Sequence, residues 1–187
     1  MKTVIDIWND IEPPPAPPLQ PVQLDPRSSA LLVLDLQIGN CDSERRPRCV
    51  DSLAGIRAFI SRARSHKMPV IYSLTSKATA DDIRAEVLPE PEEPIVKSSV
   101  DKFYHTELEE ILEKYNATTV VLIGTAAEGA VVHTAAGAAL RGYNVVVPVD
   151  GFSSSSVYAE QYTAWHLVNA PGIKKRTTLT RMDLISL

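Results

Sequence analysis

The chain has 187 residues, 44% of them hydrophobic, which is enough to bury one sizeable core within a single domain. Its formal net charge of -4 provides no broad basic surface for a phosphate backbone, so nucleic acid is not an expected partner. No apolar run approaches the roughly 20 residues of a membrane span, and MKTVIDIWND lacks the apolar centre of a signal peptide; no membrane association and a cytoplasmic location are expected.

Residues 1–27 read as a proline-rich N-terminal arm and residues 28–187 as the domain proper. Seven of the fourteen prolines lie in PPPAPPLQPVQLDP, between Pro13 and Pro26, where fixed φ angles and missing N–H groups exclude helix and interior strand. Such an arm is extended and lies along the domain or a neighbouring subunit. Ile5, Ile7 and Trp8 give its beginning enough apolar surface to dock.

Beyond Pro26, apolar runs without polar alternation occur at ALLVLD (30–35), PVIYSL (69–74), PIVK (94–97), TVVLIG (119–124) and NVVVPV (144–149), with RTTLT (176–180) as a weaker sixth. Such runs suit strands buried on both faces. Cys41 and Cys49, in the loop CDSERRPRC after the first run, have no second Cys or His pair at metal spacing and are expected as two free thiols.

Helical spacing separates the runs. VDSLAGIRAFISRARSH sets Leu53, Ile56, Phe59, Ile60 and Ala63 on one stripe, and TELEEILEKY opens with a capping box of Thr106 and Glu109. GAVVHTAAGAALRGY and SVYAEQYTAWHLV complete the set. Regular alternation of strand and helix predicts an α/β fold: a doubly wound, mainly parallel, six-stranded sheet with helices on both faces. The aromatic faces of YAEQYTAWHLV suggest burial against another subunit.

Ligands of such sheets bind beyond the carboxyl ends of the strands. Three of those ends are unusual. Asp35 closes the first strand, Lys97 the third, and the small-residue turn GTAAEGA the fourth. An acid against branched apolar residues loses hydration and gains pKa unless a cation compensates, so Asp35 with Lys97 fits a general acid/base. Capping of the DLQIGN turn is the alternative role for Asp35. The GTAAEGA turn offers N–H groups to an oxyanion, or serves tight helix–sheet packing. His66, His105, His133 and His166 fall on helix faces or ends and are expected to serve packing, capping or solvent.

Together these blocks resemble the isochorismatase-like (cysteine) hydrolase superfamily over roughly residues 28–180. The resemblance rests on ALLVLDLQIGN, VKSSVDKFYHTELEEIL and GTAAEGAVVHTA followed by RGYNVVVPVD. It implies a Rossmann-like three-layer fold, a small-molecule substrate and a homo-oligomer, either dimer or tetramer. It implies Asp35 as acid/base, Lys97 as its cationic partner and Ala130 at the position of the nucleophilic cysteine.

It also implies a non-proline cis peptide near Thr125–Ala126, with N–H groups of Thr125, Ala126 and Ala130 around an oxyanion. Gln37, Phe103, Tyr104 and Glu128 are expected to line the substrate pocket. YSLTSKATADD lacks the histidines of metal-binding nicotinamidases, so no metal and no cofactor are expected. A methyl group at position 130 forms no thioester. The open readings are a cysteine-free hydrolase in which Asp35 protonates the substrate, an amidohydrolase whose cysteine has been replaced by Ala130, and a noncatalytic binder.

Overall fold

The computed structural model describes all 187 residues. Its main sheet contains β2 (Ser29–Leu34), β3 (Val70–Leu74), β4 (Ile95–Lys97), β5 (Thr119–Thr125), β6 (Asn144–Pro148), β7 (Phe152–Ser153) and β8 (Thr177–Thr180). All are parallel, in the order β4-β3-β2-β5-β6-β8, with β7 paired to the end of β5. Seven strands therefore stand where six were expected. The addition is the two-residue β7, which is too short to carry a hydrophobic signature in the sequence.

The apolar runs all become strands, and β2, β3 and β5 in the middle of the sheet are covered on both faces. Along β2, Ala30, Leu32 and Leu34 belong to one core cluster, while Leu31 and Val33 belong to the other. The first cluster takes in α2 (Leu108–Lys114), α3 (Val132–Leu140) and α4 (Val157–Asn169); the second takes in α1 (Pro47–Ser65). The stripe Leu53, Ile56, Phe59, Ile60 and Ala63 is the buried face of α1. Each fully buried branched side chain contributes about 1.5–3 kcal/mol on leaving water.

Local signals were less reliable at helix ends. α2 starts at Leu108, with Glu107 at the cap position, and no capping box closes. Thr106 Oγ1 instead accepts from Leu108 N at 3.2 Å and donates to Lys102 O at 2.5 Å. The cysteines are not free: Cys41 and Cys49 form a disulfide. α1 begins at Pro47 and so carries Cys49 in its first turn, where its Cα lies 5.4 Å from that of Cys41. Spacing alone could not show that the intervening loop doubles back.

The arm is tied at its end and applied to α4 nearer its start. β1 (Val22–Gln23) pairs in parallel with β9 (Ile185–Ser186), and Gln20 N donates to Leu179 O at 3.0 Å. Trp8 packs on Tyr158 with ring centroids 6.0 Å apart. Between arm and helix lies a groove of about 620 Å³, lined by Trp8, Pro15, Tyr158, Tyr162 and Trp165. No helix is long and apolar enough to cross a membrane.

The order β4-β3-β2-β5 reverses the direction of winding between β2 and β5, so the crevice opens at their carboxyl ends. There Leu34 pairs with Gly124. Gly124 has φ +130°, and a Cβ at this position would lie 2.0 Å from Leu34 O. Gly124→Ala must therefore push β5 away from β2. Thermal unfolding should show severe destabilisation, whereas Gly39→Ala, with no heavy atom within 4 Å of the added methyl, should stay within about 0.5 kcal/mol.

Candidate active site

β2 ends in a backbone reversal. Asp35 has φ 52°, a left-handed conformation that Asp tolerates better than most residues, and its N–H donates to Ser73 O at 3.2 Å. The turn buries the side chain. Asp35 Oδ1 accepts from Ser73 Oγ at 2.8 Å, and Oδ2 lies 2.8 Å from a lysine Nζ.

That lysine is Lys102, which corrects the expectation that placed Lys97 beside Asp35. Along β4 the burial alternates: Val96 is buried and Lys97 is exposed. Lys102 lies in the loop that returns from β4 toward α2, and its side chain is fully buried. Its Nζ also donates to Ser99 O at 2.6 Å and Ser98 O at 3.2 Å, so its remaining protons are satisfied. Two lysines five residues apart can both follow a strand end; only the alternation along β4 and the path of the loop decide between them.

The small residues of α3 seat that loop. A Cβ on Gly137 would come within 2.9 Å of Asp101 Oδ1 and 3.2 Å of Phe103 Cδ2, and Thr134 Oγ1 accepts from Lys102 N at 3.2 Å. Asp101 and Phe103 thus press on α3 while Lys102, between them, turns toward Asp35. Phe103 is buried against Tyr143 at 6.1 Å and Arg141 at 4.5 Å, and serves the core. Tyr104 is exposed beside His105. Neither of these aromatics joins Asp35.

Gln37 is engaged as well. Its Oε1 accepts from Thr75 N at 2.8 Å and its Nε2 donates to Thr75 Oγ1 at 3.1 Å. Both ends of its amide clamp the loops after β2 and β3 together, which accounts for the residue without a ligand.

On the other side of the crevice, Thr125–Ala126 is a cis peptide. Thr125 Oγ1 donates to Ser153 O at 3.0 Å, fixing the end of β5 to β7. Residues Ala127–Val131 then make a wide helical turn in which Val131 N donates to Ala126 O at 3.2 Å, and α3 follows. The N–H groups of Ala126 and Ala127 donate to no other group of the chain. Ala130 is buried at the base of this turn. Glu128 Oε2 accepts from Ser154 Oγ at 2.6 Å.

Burial pushes the Asp35 carboxyl above its ordinary pKa of 3.8, opposed by Lys102, Ser73 and, more weakly, the Arg46 charge. The arrangement can therefore hold or release one proton beside a turn that presents unpaired N–H groups. No three His, Cys, Asp or Glu side chains are grouped as a metal site. Ser73, Lys102 and Arg46 were missed in the sequence, since none lies in a block whose spacing marks it.

Lys102→Met removes the cation from a buried carboxylate. It should lower stability by about 3 kcal/mol at pH 8 and by less at pH 5, because lower pH favours the protonated form of Asp35; Lys97→Met should change stability by no more than about 0.5 kcal/mol. Denaturant unfolding at both pH values checks the pair.

Similarity to known proteins agrees with this fold. A family profile described as the isochorismatase domain matches residues 29–178. No curated protein sequence matches the chain at a significant level. Among solved structures, an isochorismatase family protein from Burkholderia thailandensis is 24% identical, with a TM-score of 0.72, covering 87% of this chain and 95% of its own. The nicotinamidase of Staphylococcus aureus is 19% identical, with a TM-score of 0.72, covering 83% and 99%. The N-carbamoylsarcosine amidase of Thermoplasma acidophilum is 24% identical, with a TM-score of 0.70, covering 83% and 97%. These structures share the fold, and with most of its length matched by the family profile, the chain belongs to the isochorismatase family.

Proposed function

We propose that the protein is a hydrolase of a small metabolite in which Asp35 is the general acid/base, Lys102 its charge partner, and no side chain at position 130 acts as nucleophile. The observation that carries this reading is the buried Asp35–Lys102 pair, 2.8 Å apart, at the point where the winding of the sheet reverses. A scaffold would gain little from a desolvated ion pair there, because such pairs are weak sources of stability.

In the proposed reaction the protonated Asp35 carboxyl donates to the substrate, as to the double bond of an enol ether, and water adds to the cation formed. Loss of the alcohol then completes cleavage with no covalent enzyme intermediate. Lys102 stabilises the carboxylate left after proton transfer, and the carboxylate recovers its proton as water is consumed.

Asp35→Asn keeps the shape and removes the proton donor. With a panel of enol ethers, including isochorismate, the loss should be on the order of 10²–10⁴ in kcat/KM. Because the acid form is required, wild-type activity should fall as pH rises through the elevated pKa of Asp35. The same shift affects stability. The folded chain holds this proton more tightly than the unfolded one, so the contribution is full below the ordinary value of 3.8 and is lost as pH climbs through the folded value.

The unpaired N–H groups of Ala126 and Ala127 favour a second reading, amide hydrolysis through an oxyanion, for which a thiol at position 130 is required. Ala130→Cys, assayed against small amides, separates the two: activity arising only in that variant supports the amidase reading. No turnover by either protein with either panel would favour a noncatalytic binder.

We also infer self-association through α4. Tyr158, Tyr162 and Trp165 leave 61%, 44% and 40% of their surfaces exposed along one side of the helix, beside the apolar arm. Sedimentation should show a dimer or tetramer, shifted toward monomer by Trp165→Glu.

A further inference from the structure

The loop closed by the Cys41–Cys49 disulfide carries an arginine in an unusual state. Arg46 is only 6% exposed, yet it forms no ion pair. Its Nη1 donates to Asn40 O at 2.8 Å and to Asn40 Oδ1 at 2.6 Å; its Nε is sealed from water and has no acceptor. The edge of the guanidinium formed by Nε and Nη2 is thus unused.

Elsewhere in this chain that edge meets carboxylates. Arg48 uses it on Glu160 and Arg64 on Glu93, each through Nε and Nη2. Two parallel N–H donors match the two oxygens of a carboxylate, which is why such pairs are strong and directional. Arg62 Nε is also buried without an acceptor, but its Nη2 donates to Met182 O and its guanidinium lies over Phe59, so it serves packing.

Arg46 is held toward the reaction centre. Asn40, which anchors its Nη1, donates through Nδ2 to Asp35 O at 3.3 Å. Burial and the neighbouring Arg45 charge push the Arg46 guanidinium down, opposed by the carboxylates of Glu128, Asp42 and Asp35. Asp35 and Glu128 have other partners, Lys102 and Ser73 for Asp35 and Ser154 for Glu128, and neither forms an ion pair with Arg46.

We propose that Arg46 is the substrate-recognition residue of this site and that it binds a carboxylate on the substrate through Nη2, the part of that edge not sealed from water. The proposal rests on the reading of the crevice as a substrate site. A planar monoanion fits better than a phosphate dianion, because Glu128 repels every added negative charge. The disulfide loop fixes the guanidinium at a set distance from Asp35, so the carboxylate orients the substrate's reacting bond against the acid.

The test is NMR titration of the full chain with benzoate, benzamide and inorganic phosphate at pH 7. Benzoate should bind about 10-fold or more tightly than benzamide, the worth of a charge-assisted pair. Arg46→Gln should reduce that ratio to near one with benzamide affinity unchanged, and Arg46→Lys should restore part of it.

Equal affinities in the wild type, no benzoate binding, a preference for phosphate, or a ratio that survives Arg46→Gln would overturn the proposal. The wild-type ratio is decisive even if the variants fold poorly. A ratio that depends on Arg46, in a protein that turns nothing over, would support the recognition role while counting against the hydrolase reading.

Discussion

A carboxylate withdrawn from water must find a cation or keep a proton, and Asp35 is placed where both are within reach. Its turn at the end of β2 removes the side chain from solvent, and Lys102 approaches from the loop after β4. Much of the surrounding structure makes that approach possible. Gly137 allows Asp101 and Phe103 to lie on α3, which turns Lys102 inward, and Thr106 fixes the far end of the loop through Lys102 O. The reversal of strand order then places this pair beside the turn that ends β5, so acid and N–H donors face one crevice without either being carried on a long flexible loop.

The core was legible because the central strands are buried on both faces and so read as unbroken apolar runs. The residues of β2, β3, β5 and β6 needed no tertiary information. Asp35 and the small-residue turn were legible for a related reason, since a charge or a cluster of small residues directly after such a run is anomalous. Lys102 was not: Lys97 stands at the strand end, where spacing points, and whether a lysine turns inward depends on the alternation of β4 and the path of a loop. Gln37, Phe103 and Tyr104 show the same limit. Their positions follow the sequence blocks, but their partners are Thr75, Tyr143 with Arg141, and His105.

The loop between Cys41 and Cys49 was the least legible part. Its charged sequence resembles a solvated turn, yet it closes through a disulfide and buries Arg46. Both facts come from α1 starting earlier than its apolar stripe does, which returns Cys49 to Cys41. An acid that stores a proton and a cation that fixes an anionic substrate would divide catalysis and recognition within one crevice. Each is held by neighbours distant in sequence: Ser73 and Lys102 for the acid, and the disulfide with Asn40 for the cation.

The central claim is that desolvation outweighs the nearby lysine and leaves Asp35 easier to protonate than an ordinary aspartate. The direct measurement is an NMR titration of the Asp35 carboxyl carbon in the wild-type protein, with Lys102→Met beside it. The account predicts a midpoint above the ordinary 3.8 in the wild type and a further rise without the lysine. A wild-type midpoint at or below 3.8 would contradict it, because Asp35 would then be a permanent carboxylate held by Lys102 and unable to serve as an acid.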